Sequence, residues 1–299
     1  MSRSHANKPD KQRATTARHA HRSRAAQRPA AGSDEHRSIR AVKPLRISTT
    51  GAPPVLDSCE VAVEQALTIA IDGVGSFTVM CTPCDVEALA VGFAFSEGMI
   101  AGLDDIVKLS HTRDPLGIAM QLDQPERVAS RRNLIVTSSC GLCGQRNIDE
   151  FLAGTPACAD TLRVSGDTLV GVVRAMQGGQ QLFDRTGGTH AAGVFSSAGK
   201  LLALGEDVGR HNAFDKAVAK CLLQGQSPHG CGAVLSGRVS LELVGKAARA
   251  GIELIAAVSA PSSLAIEVAE RCKITLCGFV RDTRATVYTH PQRIIGLQP

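Results

Sequence analysis

The chain has 299 residues, 43% of them hydrophobic, which is enough for a sizeable core in one large or two modest domains. No apolar run nears the roughly 18 uncharged residues of a membrane span, and the first residues lack the apolar stretch of a secretory signal, so neither a membrane-spanning nor a secreted protein is expected. The net charge of +5 is uneven: residues 1–46 carry 12 Lys or Arg against 3 acids, leaving 21 basic and 25 acidic residues, or −4, for the rest.

In chain order, the basic segment 1–46 comes first. It has almost no large apolar residue to offset its ordering entropy, so a disordered tail is expected there. Arg-rich, acid-poor segments also serve as organellar leaders or nucleic-acid arms. The body has one Tyr, no Trp and no basic motif, so nucleic-acid binding is not expected. Ten cysteines without disulfide-scaffold spacing indicate reduced thiols and a cytoplasmic location. Cys59, Cys158, Cys221, Cys231, Cys272 and Cys277 are expected to be small buried apolar residues.

The patterning predicts a strand over 59–73, a Gly-rich turn and a strand over 76–83 ending at Pro83. A helix over 85–100 follows, with Asp85 as its N-cap. Alternating stretches at 105–114, 117–123 and 132–139 lead to SSCGLCG, completing an α+β unit over 47–145. From 146 to 299 the order changes to helix (166–183), strand (189–197), strand (201–207), helix (209–224), strand (232–237), helix (240–251), strand (253–260), helix (263–272) and strand (273–281). Helices alternating with short apolar strands predict a mixed sheet covered on both faces, hence an α/β domain.

Cys140 and Cys143 stand two residues apart with glycines at 141 and 144. Such a pair can grip a metal, cycle as a disulfide or carry sulfur. A zinc site needs two further donors. Cys81 and Cys84 form a second C-x-x-C, but 55 residues separate the pairs, against roughly 15–20 in a zinc ribbon. Glycines on both sides let bulky partners approach the sulfurs, which suits a thiol that visits two partners in turn. Arg146 and a helix starting near Ile148 favour the thiolate.

Polar clusters fall where strands give way to helices: TGGTH (186–190), GEDVGRHN (205–212), SGRVS (236–240) and APSS (260–263). Helix N-termini there supply N–H groups for phosphate, and Arg210 and Arg238 add charge. Gly237 with Arg238 is one candidate phosphate loop. His211 and Asp215, one helical turn apart, form a candidate pair. His190 has no partner visible in the sequence.

Six blocks in order strongly resemble the formate dehydrogenase accessory sulfurtransferase family, FdhD: TPCDVEALAVGFAFSEGMI, SSCGLCG, TGGTHAAGVF, GEDVGRHNAFDKAV, SGRVSLELVGKAARAGIELIAAVSAPSSLAIEVAE and GFVRDTRATVYTHPQRI. The resemblance implies a cytidine-deaminase-like three-layer α/β/α domain with a mixed sheet, plus a smaller α+β N-terminal subdomain, in a homodimer. The deaminase H-x-E and P-C-x-x-C signature is missing, so neither deamination nor a structural metal is implied. It further implies that Cys140 accepts a persulfide from a cysteine desulfurase, with Cys143 assisting. The sulfur passes to a molybdenum or tungsten bis-pterin guanine dinucleotide, bound as substrate, for the catalytic subunit of formate dehydrogenase. The family's cofactor-binding segment maps onto Phe279, Val280, Arg281, Asp282, Thr283 and Arg284. Cys81 and Cys84 depart from the family pattern. Two rival readings are a non-enzymatic molybdenum-cofactor chaperone and a thiol redox or zinc module.

Overall fold

The computed structural model describes residues 37–126 and 155–296, all within one compact unit, Gly32–Pro299. Its first two strands, β1 (Ile39–Val42) and β2 (Leu45–Arg46), lie where a tail is expected; β3 (Val55–Leu56) and β4 (Cys59–Ala62) follow, with β1 antiparallel to β4 and β2 to β3. The expected tail therefore ends too late at residue 46. Ser38 is fully buried and its carbonyl accepts from the Val63 amide at 2.8 Å, which anchors the segment without large side chains.

The strand expected over 59–73 is two strands, β4 and β5 (Gln65–Ile71). β5 joins β6 (Gly75–Cys81), β7 (Ile106–Arg113) and β8 (Leu116–Leu122) in a sheet of order β6-β5-β8-β7, parallel only between β5 and β8. Helix α1 (Val86–Ser96) follows β6. Asp85 occupies the N-cap position as expected, its carbonyl accepting from the Leu89 amide at 2.9 Å, but at φ 51° its side chain makes no capping hydrogen bond and the carboxylate reaches Lys220 at 2.6 Å instead. The strand expected over 132–139 lies outside the described residues.

After β9 (Val164–Ser165), the helix expected over 166–183 is broken at Gly178-Gly179 into α2 (Gly166–Gly178) and α3 (Gln181–Thr186). Then come β10 (His190–Phe195), β11 (Leu201–Asp207), α4 (Arg210–Leu223), β12 (Gly232–Leu235), α5 (Leu241–Arg249), β13 (Leu254–Ala257), α6 (Ser263–Arg271), β14 (Thr275–Arg281), β15 (Arg284–Thr289) and β16 (Ile294–Ile295). The six-stranded sheet has order β11-β10-β12-β13-β14-β15, with β12, β13 and β14 parallel and the other pairings antiparallel. This is a mixed α/β fold.

Strand alternation divides the core. Ala191, Phe195, Val234, Leu254, Ala256 and Cys277 face one way and pack with Leu169, Val172 and Met176 of α2. Ala192, Val194, Ala233, Leu235, Ile255 and Leu276 face the other way, toward α4, α5 and α6. Each fully buried Val, Leu or Ile contributes roughly 1.5–3 kcal/mol. The four-stranded sheet shares this second core through α1, which crosses α4 where Gly92 lacks a side chain. A Cβ there would lie 2.0 Å from the Asp215 carbonyl oxygen. The contact is sealed by Lys246 Nζ, 2.9 Å from Asp215 Oδ2 and 3.0 Å from Glu97 Oε1, and by Ser96 Oγ donating to Asp215 Oδ1 at 2.6 Å.

Candidate functional site

Sheet register gathers the polar clusters. His190 lies opposite Asp207 at the β10–β11 edge. Ala192 opposite Leu235 and Leu235 opposite Ala257 set His190, Gly237 and Ser259 in one row beyond the carboxyl ends of β12 and β13. The Phe279 amide donates to the Ser259 carbonyl at 3.2 Å, which brings β14 into the same row. The N-termini of α4, α5 and α6 open onto this end of the sheet, where helix N–H groups favour an anion.

Gly237 has a steric role in this row. A Cβ there would lie 3.2 Å from His190 Nδ1, closer than ordinary contact, so glycine lets the strand end sit against the imidazole, with Arg210 Cβ at 3.8 Å beside it. Burial, then the Arg210 and Arg238 charges, hold His190 below the usual histidine range, with Asp207 opposing. The imidazole is thus neutral near pH 7 among cations. Arg238 is exposed. Arg210 is half-buried, and its Nε is buried with no hydrogen-bond partner among the described residues. An orphaned guanidinium donor is costly unless an anion completes it.

The His211–Asp215 pairing expected from helical spacing does not form. Asp215 is held by Lys246 and Ser96, whereas His211 Nε2 lies 3.1 Å from Ser240 Oγ and 3.9 Å from Glu242 Oε2. Burial, with Arg210 and Lys246 nearby, pushes His211 down to about 4. Ser262 caps α6 by accepting from the Ala265 amide at 3.2 Å.

The segment Phe279–Arg284 runs from the end of β14 through the turn into β15. Phe279 is 37% exposed and sits at φ 51°, a left-handed conformation unusual for an aromatic residue and commonest where function holds it. Arg281 stacks 6.0 Å over its ring. Arg281, Asp282, Thr283 and Arg284 are exposed, so their side chains are free to meet a ligand, whereas Val280 is fully buried in the core. Cys140 and Cys143 lie outside the described residues.

Beneath the row is a cluster the sequence does not signal. Asp207 Oδ2 lies 2.7 Å from Lys216 Nζ, both side chains fully buried. Asp207 also accepts from the amides of Thr82 at 3.1 Å and Gly209 at 2.8 Å and from Asn212 Nδ2 at 2.9 Å. Lys216 donates to the carbonyls of Thr82 and Glu206, each at 3.0 Å, and to Cys84 Sγ at 3.7 Å. This network fixes the turn that presents Arg210 and His211. Among the described residues no group of three or more His, Cys, Asp or Glu is arranged to hold a metal ion, and no helix is long and apolar enough to cross a membrane.

Comparison with known proteins places these features in a family context. The profile of the FdhD/NarQ family matches residues 62–295. A sulfur carrier protein FdhD from Thermoplasma acidophilum is 40% identical over 248 residues, covering 80% of this chain and 88% of that one. Another from Bordetella parapertussis is 38% identical over 242 residues, covering 79% and 88%. A solved structure ascribed to a formate dehydrogenase accessory protein from Desulfotalea psychrophila has the same fold, with a TM-score of 0.69 at 24% identity, covering 86% of this chain and 99% of that one.

Proposed function

The chain belongs to the FdhD/NarQ family, and on that premise we propose that it is a sulfur carrier that relays a persulfide to a pterin cofactor on behalf of formate dehydrogenase. The Cys140 thiolate attacks the outer sulfur of a cysteine desulfurase persulfide. The desulfurase leaves as its own thiolate and Cys140 holds the sulfur. Attack by Cys143 on Cys140 Sγ then forms a disulfide and releases the outer sulfur as hydrosulfide to the molybdenum or tungsten of the bis-pterin guanine dinucleotide. A low-molecular-weight thiol reduces the pair for the next cycle.

The observation that carries this reading is the orphaned Arg210 Nε in a row with His190, Gly237 and Arg238 at three helix N-termini, a setting that suits the phosphates of such a substrate. Arg281 and Arg284, on the Phe279–Arg284 segment, extend the same cationic surface. A cytidine-deaminase-like architecture, a cytoplasmic homodimer, and contacts with the desulfurase and the dehydrogenase catalytic subunit belong to the same proposal.

Complementation tests it. In cells lacking this protein, the wild type should restore formate dehydrogenase activity and Cys140→Ala should not. Full restoration by Cys140→Ala would instead make the protein a cofactor-binding chaperone.

A further inference from the structure

The thiols of Cys81 and Cys84 have no part in the relay above, yet they flank the residue that anchors the site. Cys81 ends β6 and is fully buried, whereas Cys84 is partly exposed. Between them the chain doubles back, with the Cys84 amide donating to the Thr82 carbonyl at 2.8 Å. Lys216 Nζ lies 3.7 Å from Cys84 Sγ. Burial raises both thiols, Cys81 to about 12; Cys81 also feels Asp207, Lys216 and Cys84, and Cys84 feels Lys216, Asp85 and Asp207. Cys81, Cys84, Lys216 and Asp207 therefore lie within electrostatic reach of one another. Burial alone would lower the Lys216 pKa, but Cys84 and the adjacent Asp207 carboxylate keep it above the usual lysine value. A fixed ammonium thus faces Cys84, the more accessible of the two thiols, and offsets part of the burial that holds its thiol up.

We propose that Cys81 and Cys84 form a reversible thiol–disulfide site whose oxidation loosens the Asp207–Arg210 turn at the row above it. Cys84, as thiolate, attacks one sulfur of a low-molecular-weight disulfide and displaces a thiolate, giving a mixed disulfide. Cys81 then attacks Cys84 Sγ, its proton passing to the second departing thiol. Two protein thiols are oxidised and one small disulfide is reduced to two thiols.

The coupling runs through Thr82. Its amide donates to Asp207 Oδ2, its hydroxyl accepts from the Val208 amide at 3.1 Å and its carbonyl accepts from Lys216. A disulfide holds its two Cβ atoms about 3.5–4.5 Å apart and leaves a C-x-x-C turn little freedom. Closing the pair recasts the peptide units on either side of Thr82 and removes the Lys216 contact with Cys84.

The test uses the full chain carrying Cys140→Ser and Cys143→Ser, equilibrated with oxidised glutathione. A loss of about 2 Da, reversed by dithiothreitol and mapped to a Cys81–Cys84 link, is expected. Adding Cys81→Ser should stop the reaction at a glutathione adduct on Cys84, and adding Cys84→Ser should prevent both products. Hydrogen exchange should show the amides of Thr82, Val208 and Gly209 losing protection on oxidation. Absence of the link, or an adduct on Cys81 in the Cys84→Ser protein, overturns the assignment. A link that leaves those amides unchanged overturns the coupling.

Discussion

Lys216 Nζ and Asp207 Oδ2 lie 2.7 Å apart with neither side chain reached by solvent, and together they hold strand β6 against the turn that carries Arg210. Removing one partner of such a pair strands a buried charge. Lys216→Met should therefore cost about 3–5 kcal/mol, read as a lower urea midpoint. Adding Asp207→Asn should recover part of the loss, because the stranded charge is then gone. A single variant as stable as the wild type would show that the pair is not what fixes the turn.

His211 gives the stability a pH dependence. Its folded pKa is about 4, below the ordinary histidine value, so between about pH 6.5 and pH 4 the unfolded chain binds the extra proton. Its contribution is present above about pH 6.5 and is lost as pH falls through that window, on the order of 3 kcal/mol in all. Urea titrations from pH 7 to pH 4 should show a shallower decline for His211→Gln than for the wild type. Equal slopes would mean that His211 is protonated in the folded protein.

Arg238 is exposed and leaves the core untouched when shortened. Arg238→Ala should keep the melting temperature of the wild type and weaken guanosine diphosphate binding about tenfold, roughly 1.4 kcal/mol, with a smaller salt dependence. Calorimetry measures both. Unchanged affinity would move the phosphate site away from the Gly237–Arg238 loop.

Much of this arrangement was legible in the sequence, and the gaps have physical causes. The alternation of apolar strands and helices from residue 189 onward marks the six-stranded sheet, because both faces of its inner strands are buried. The edge strand β15 was missed: the first half of RATVYT is exposed and it lacks the apolar run that marks the inner strands. The strands before Cys59 were missed because backbone pairing and one buried serine hold them, not a hydrophobic pattern.

In the site, the loops could be found one by one as strand ends with Gly, Ser and Arg. Their meeting could not, since it depends on register: His190 opposes Asp207, 17 residues on, and lies beside Gly237 only after β12 pairs with β10. For the same reason helical spacing proposed the wrong partner for His211, whose hydrogen bond goes to Ser240 in the next βα unit. The Lys216–Asp207–Thr82 cluster joins segments more than a hundred residues apart, and a lysine inside a helical pattern carries no sign that it is buried.

The central claim is that Cys140 carries sulfur, and intact mass measures it most directly. After incubation with a cysteine desulfurase and cysteine, the wild type should gain about 32 Da per sulfur, reversed by dithiothreitol. Cys143→Ala should load the same sulfur and retain it longer, whereas Cys140→Ala should not load. A mass that never changes, or a gain that survives Cys140→Ala, would contradict the account and remove the CGLCG segment as the sulfur acceptor.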